Sequence, residues 1–199
     1  MTPRLLALIA ATGLAACSDG QPAETTTVTE PVETPATAAE VFAERFELAS
    51  ADHVVLFTDR ETRDAMSLPD EFTFEYLDDG DVGRVAVRGF RESPAPHGRT
   101  QGISLRLPEQ IEQSVSGHPI EVTVIARSAA PGTIYRVAYS TNDVGNSGWR
   151  ELSAGADWSA ETFRFNVRPI EAGGDDFIGV LPPASGAVEI AAITIKLAD

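Results

Sequence analysis

The chain has 199 residues with 15 basic against 30 acidic side chains, a formal charge of −15 at pH 7, and 43% hydrophobic residues. That is enough for one ordinary domain with its own core plus tails. A sequence pI near 4.5 argues against nucleic-acid binding, which needs a basic surface. The single cysteine, Cys17, excludes an internal disulfide and a cysteine-based zinc site.

At the N-terminus, Met1 to Arg4 carries one positive charge, and Leu5 to Ala16 is a twelve-residue apolar run. A spanning helix needs roughly 20 apolar residues, so the run fits the short hydrophobic region of a secretory signal instead. The signal ends Leu14-Ala15-Ala16-Cys17, which resembles the lipobox of bacterial lipoproteins. That resemblance covers residues 1–17 and implies cleavage after Ala16, diacylation of the Cys17 sulfur and a lipid bilayer as partner. Ser18, rather than an aspartate, follows the cysteine. The same resemblance then implies the outer membrane of the cell envelope, with the protein facing the periplasm. Residues 17–40 are Thr-, Pro- and Glu-rich with no Lys or Arg, too polar to offset their ordering entropy, and read as a disordered tether. As a coil the stretch after Cys17 spans about 25 Å, as a polyproline rod about 70 Å.

A single domain is expected over residues 41–199. Val41 to Ala49 reads as a short helix or a first strand, Val54 to Phe57 as a short buried strand, and Asp59 to Leu68 as a polar helical turn. Phe72, Phe74 and Tyr76 alternate with polar residues, and Asp78-Asp79-Gly80-Asp81 then signals a hairpin turn rather than a calcium loop. From about residue 84 the pattern is strand after strand: Ile103 to Leu107, Ile120 to Arg127, Tyr135 to Tyr139, Phe163 to Arg168 and Phe177 to Leu181. Val188 to Leu197 changes phase at Ala191-Ala192, where a bulge would keep both halves facing the core. Strands with one apolar and one polar face, split by Gly, Pro, Asn and Ser clusters, predict an all-β fold: an antiparallel β-sandwich with its core over about residues 84–199. Arginines at the polar strand positions, Arg84, Arg106, Arg127, Arg136 and Arg164 among them, are expected to form cross-strand ion pairs.

The segment from Tyr139 to Arg150 concentrates amide, hydroxyl and carboxylate groups in a Gly-containing loop that ends on a tryptophan. Such groups suit sugar hydroxyls, and an indole face suits the apolar face of a pyranose. The candidate ligand-binding residues are therefore Tyr139, Asn142, Asp143, Asn146, Ser147 and Trp149. Asn142, Asp143 and Asn146 also offer hard oxygen ligands for a structural calcium; no other cofactor is indicated. The bland alternative is a hairpin whose Asn and Asp residues shape turns and whose Trp149 fills the core. Gly145-Asn146-Ser147-Gly148 superficially matches a serine-protease motif, but no histidine lies in a partner motif, and no catalytic residues are assigned. Asp175 and Asp176, adjacent in one strand, point to opposite faces and cannot easily form a catalytic pair; both read as surface loop acids.

The pattern from Arg84 to Ala198, with Asp176-Phe177-Ile178-Gly179 and the returning strand Val188 to Ile195, resembles the jelly-roll sandwiches of carbohydrate-binding modules and galactose-binding-like domains. The resemblance implies a jelly roll, a glycan ligand met through loop or concave-face aromatics, and often a structural calcium. The expected function is a non-catalytic envelope lipoprotein that binds a glycan or a partner protein. The alternatives are an assembly component of an envelope complex and, behind it, a glycan-active enzyme. For the anchor, Cys17→Ser should abolish palmitate labelling and release the protein from the detergent phase; a wild-type protein without a lipid mass shift at Cys17 overturns the reading.

Overall fold

The computed structural model describes residues 36–57, 60–67, 72–77, 82–89, 102–141, 145–169 and 175–199. In chain order these form α1 (Ala38–Arg45), a 3-10 turn (Leu48–Ser50), β1 (His53–Leu56), α2 (Arg60–Asp64) and β2 (Met66–Ser67). Then come β3 (Phe72–Leu77), β4 (Arg84–Gly89), β5 (Ile103–Arg106) and α3 (Glu109–Val115). The C-terminal half holds β6 (Pro119–Arg127), β7 (Thr133–Ser140), β8 (Arg150–Ala154), β9 (Ser159–Asn166), β10 (Phe177–Leu181) and β11 (Val188–Leu197).

The strands build two sheets, and every pairing is antiparallel. Sheet 1 runs β3-β4-β11-β6-β9, with β1 also paired to β11; sheet 2 runs β2-β5-β10-β7-β8. The architecture is the β-sandwich expected from the alternation. Its core is made where inward residues of the two sheets meet: Val122, Val124 and Ile193 from sheet 1 and Leu105, Val137 and Ile178 from sheet 2 are all at most 3% exposed. The expected bulge is present. The β11–β6 register shifts between Ile190 and Ala192, so Ile190 and Ile193 both face the core while Ala191 and Ala192 face outward into a second, smaller cluster.

That second cluster is the seat of α1. Phe42 of the helix meets the Trp158 ring edge-on, with centroids 5.7 Å apart. The Arg127 guanidinium lies 4.6 Å from the Trp158 ring centroid, and Arg45 Nη2 donates to the Trp158 carbonyl at 2.9 Å. The helix starts inside the stretch expected to be tether, because Thr37 and Glu40 form a capping box: Thr37 Oγ1 accepts from the Glu40 amide and Glu40 Oε2 from the Thr37 amide. Strands ahead of residue 84 belong to the sandwich as well, β1 and β3 in sheet 1 and β2 in sheet 2. The Asp78 to Asp81 turn, the signal peptide, Cys17 and the tether up to residue 35 lie outside the described residues.

The expected ion pairs form across sheet 1. Glu189 Oε2 accepts from Arg84 Nε at 2.7 Å and from Arg127 Nε at 2.8 Å, and Arg164 Nη2 donates to Glu121 at 2.6 Å. Because Trp158 carries the docking of α1, Trp158→Ala should cost about 3–5 kcal/mol. Thermal melts and proteolysis should show the loss, with cleavage concentrating at residues 36–50 ahead of the sandwich strands.

Candidate functional site

The candidate loop joins β7 to β8 at one end of sheet 2. Alternation along β7 sends Tyr135, Val137 and Tyr139 inward, so Tyr139 is 0% exposed. Its hydroxyl donates to Asp176 Oδ2, and its ring centroid sits 5.7 Å from that of Phe165. Its backbone is held by Ser147: the Tyr139 amide donates to Ser147 Oγ at 2.9 Å, and the Ser147 amide donates to the Tyr139 carbonyl at 2.8 Å. Ser147 Oγ in turn donates to the Gly148 carbonyl at 2.8 Å. Tyr139 and Ser147, expected as ligand contacts, spend these groups on holding the loop. The alternation that buries one and the turn that occupies the other leave neither group for solvent.

The solvent side of the loop is built differently. The Thr141 amide and hydroxyl both donate to the Gly145 carbonyl at 2.8 Å, closing the loop base next to the Ser140–Asn146 bridge. Asn146 is exposed, and its Oδ1 accepts from the Gly148 amide at 2.9 Å, an Asx turn that Gly148 completes at φ +66. Trp149 follows, half-buried. It stands one residue ahead of Arg150, which opens β8 and pairs with Val137. Asn142 and Asp143 lie outside the described residues. Of the residues considered for calcium only Asn146 is placed, and its carbonyl oxygen already serves the turn; among the described residues no three ligating side chains gather as a metal site.

A row of small residues crosses sheet 2. Ser67 pairs with Ser104, Ser104 with Gly179, and Gly179 with Ala138. Neighbouring rows are bulkier and charged: Arg106, Phe177 and Ser140 on one side, Leu181, Arg136 and Glu151 on the other. Arg106 Nη2 contacts Asp175 Oδ1 at 2.5 Å, and Arg136 donates from Nε and Nη2 to Glu151 Oε1 at 3.2 and 3.1 Å. With strands about 4.8 Å apart, the row spans on the order of 14 Å over four strands. An indole, hydroxyls, an amide and charged pairs at this end of sheet 2 can stack on and hydrogen-bond to a polyhydroxylated chain.

Behind the loop lies a group that the sequence did not disclose. Asp176, read as a surface acid, is 0% exposed. Its amide donates to Glu112 Oε1 at 2.9 Å and its carbonyl accepts from the Leu107 amide at 2.9 Å. Burial pushes its carboxyl up to about 6; the Tyr139 hydrogen bond opposes this, while the Glu112 and Asp175 carboxylates add to it. Burial and Asp176 together raise the Tyr139 phenol. Elsewhere, His53 Nε2 lies 2.5 Å from Ser114 Oγ. That hydroxyl donates to the Ile111 carbonyl at 2.8 Å, which makes the contact a tie between β1 and α3.

No protein-family model matches the sequence, and no curated protein does. Solved structures do. The CBM22-1 xylan-binding domain from Paenibacillus barcinonensis Xyn10C matches with a TM-score of 0.50 at 9% identity, over 74% of this chain and 95% of that one. The CBM22-1–CBM22-2 tandem from the same protein matches with a TM-score of 0.49 at 10% identity, over 75% of this chain; the chain spans 46% of that tandem's length. A carbohydrate-binding module from Cellvibrio mixtus lichenase 5A, in complex with cellotriose, matches at 0.44 and 13% identity over 75% and 99%. The likeness is one of fold. This chain is a β-sandwich like the jelly rolls of carbohydrate-binding modules.

Trp149, half-buried, has less to lose on truncation than Trp158. Trp149→Ala should cost about 1–2 kcal/mol, a fall in Tm of roughly 2–4 °C per kcal/mol, measured beside the wild type. A drop as large as that of Trp158→Ala makes Trp149 a core residue.

Proposed function

We propose that this protein is a lipid-anchored module of the bacterial envelope whose β-sandwich binds a glycan and catalyses no reaction on it. The observation that carries the reading is the placement of Trp149. Trp149 is partly exposed where the loop enters β8, with exposed Asn146 three residues before it, while Tyr139, Thr141 and Ser147 are spent on holding the loop. The fold supports the reading: the solved neighbours include a xylan-binding domain and a module in complex with cellotriose. Lipid on Cys17 and a periplasm-facing place in the outer membrane belong to the same proposal. The alternative, docking of an envelope protein on sheet 2, is favoured by Ile134, which is 50% exposed on β7.

The full chain in detergent, on a glycan array with and without calcium, followed by calorimetry on the best glycan, tests the reading. Trp149→Ala should weaken that binding by about 1–3 kcal/mol, roughly 5- to 150-fold, with the fold retained. A silent array, together with stoichiometric capture of one envelope protein, gives the face to a protein partner instead.

A further inference from the structure

Asp176 is the junction of three elements at the end of the sandwich that carries the loop. Its carboxyl takes the Tyr139 hydroxyl from β7, its amide goes to Glu112 of α3, and its carbonyl accepts the Leu107 amide that follows β5. The second carboxylate oxygen, Oδ1, is buried with no partner among the described residues. An ionised carboxylate with one oxygen unpaired is among the most costly groups to bury, and a neutral carboxyl costs far less. Among the described residues the groups that face it do not supply a counter-charge. Glu112 on α3 and Asp175, two residues ahead of β10, are both acidic; Tyr139 on β7 is neutral; Arg106 on β5 is paired to Asp175.

We propose that a proton on Asp176 locks the β7–β8 loop: with the carboxyl neutral, Tyr139 and Asp176 hold the loop base closed, and loss of the proton as pH rises leaves a buried carboxylate beside Glu112 and Asp175 whose pull toward water strains the Tyr139 tie and loosens the loop that presents Asn146 and Trp149. The lever is short. Tyr139, which bonds Asp176 through its side chain, is bonded to Ser147 through both its amide and its carbonyl, and Ser147 is two residues from Trp149. The raised carboxyl, near 6, sets the range. A carboxyl whose folded value lies above its unfolded value of about 3.9 contributes stability that is complete below that unfolded value. The contribution is lost as pH climbs through the folded value, so the step falls between about pH 4 and 6. A shift of this size changes the unfolding equilibrium by about a hundredfold across that window. The device is independent of the ligand, and its failure leaves the glycan reading untouched.

The test uses the full chain in detergent, with thermal melts and amide hydrogen exchange of residues 139–149 from pH 4 to 8. The wild type should lose thermal stability between about pH 4 and 6, with half of the loss reached near pH 5, and loop exchange should speed up severalfold beyond the intrinsic base-catalysed increase. Asp176→Asn should remove the step while retaining the fold. Tyr139→Phe deletes the hydrogen bond that favours the ionised carboxylate, so it should move the midpoint upward. An Asp176→Asn profile parallel to the wild type, or a Tyr139→Phe midpoint that stays or moves down, overturns the proposal. Should Asp176→Asn fail to fold, carbon NMR of the wild-type carboxyls decides: an aspartate titrating near 6 that moves in Tyr139→Phe supports it, and none above 5 overturns it.

Discussion

The sandwich depends on one long strand that has to face two ways. β11 runs from Val188 to Leu197 at the middle of sheet 1, and one of its edges is shared: β4 pairs with Val188 to Ile190 and β1 with Ala192 to Ile195. A regular strand would send residues two apart to one face and turn half of this apolar run to solvent. The bulge at Ala191 resets the phase where the partner changes, and the Ala191 carbonyl left over by the reset accepts the Phe57 amide at 3.2 Å. Ile190 and Ile193 then both reach the inter-sheet core. The outward residues at the reset are alanines, small enough for a helix to approach, and α1 covers them through Phe42. One extra residue therefore sets the sheet order, the core and the second layer.

At the other end of the sandwich the constraint is polar. Buried hydroxyl and carboxylate groups are costly unless paired: Tyr139 donates to the Asp176 carboxyl and the Asp176 amide to Glu112, while Asp176 Oδ1 has no partner among the described residues. The arrangement divides the loop into a part that bonds inward and a part that meets solvent. The Tyr139 backbone, Thr141 and Ser147 hold the loop base, and Asn146 and Gly148 shape its turn. The inward residues are the ones whose replacement would move the surface.

Alternation made most of this readable before any coordinates. The strands at Ile103, Ile120, Tyr135, Phe177 and Val188, the phase change at Ala191 and the cross-strand arginine pairs all follow from a two-residue period with one buried face. What escaped lacks that period. β8 has only Leu152 and Ala154 buried, and β9 begins at Ser159 although Ala160 to Thr162 are exposed, because an edge strand buries little on either face. The seven-residue α3 hides in Ile111 and Val115, an i, i+4 pair too short to outweigh the surrounding strand pattern. The start of α1 was legible in Thr37-Ala38-Ala39-Glu40, a capping box inside what reads as spacer. At the site, the alternation that defined β7 already placed Tyr139 with Tyr135 and Val137 on the inward face, so its chemistry as a loop residue should have yielded to its phase. Asp176 was beyond reach: two adjacent aspartates after two glycines look alike, and only the packing of α3 against β10 decides which one is buried.

The proposed anchor and the expected spacer, if they hold the domain at a membrane, bear on how strong the proposed contact needs to be. A single stacking ring contributes about 0.5–1.5 kcal/mol beyond its buried area, and each net hydrogen bond about 0.5–1.5 kcal/mol. Set against the cost of association, a shallow sheet face with one indole reaches affinities on the order of millimolar, near −4 kcal/mol. For a free protein such a contact is fleeting. For many copies held on one membrane by tethers of about 25 Å, each facing a polymer with repeated units, the second and later contacts are made at effective concentrations that are themselves on the order of millimolar. Weak sites then add to a persistent attachment that still lets each copy let go and rebind. On this reading the polar tether is part of the binding chemistry, since its length sets the effective concentration that the sheet face experiences.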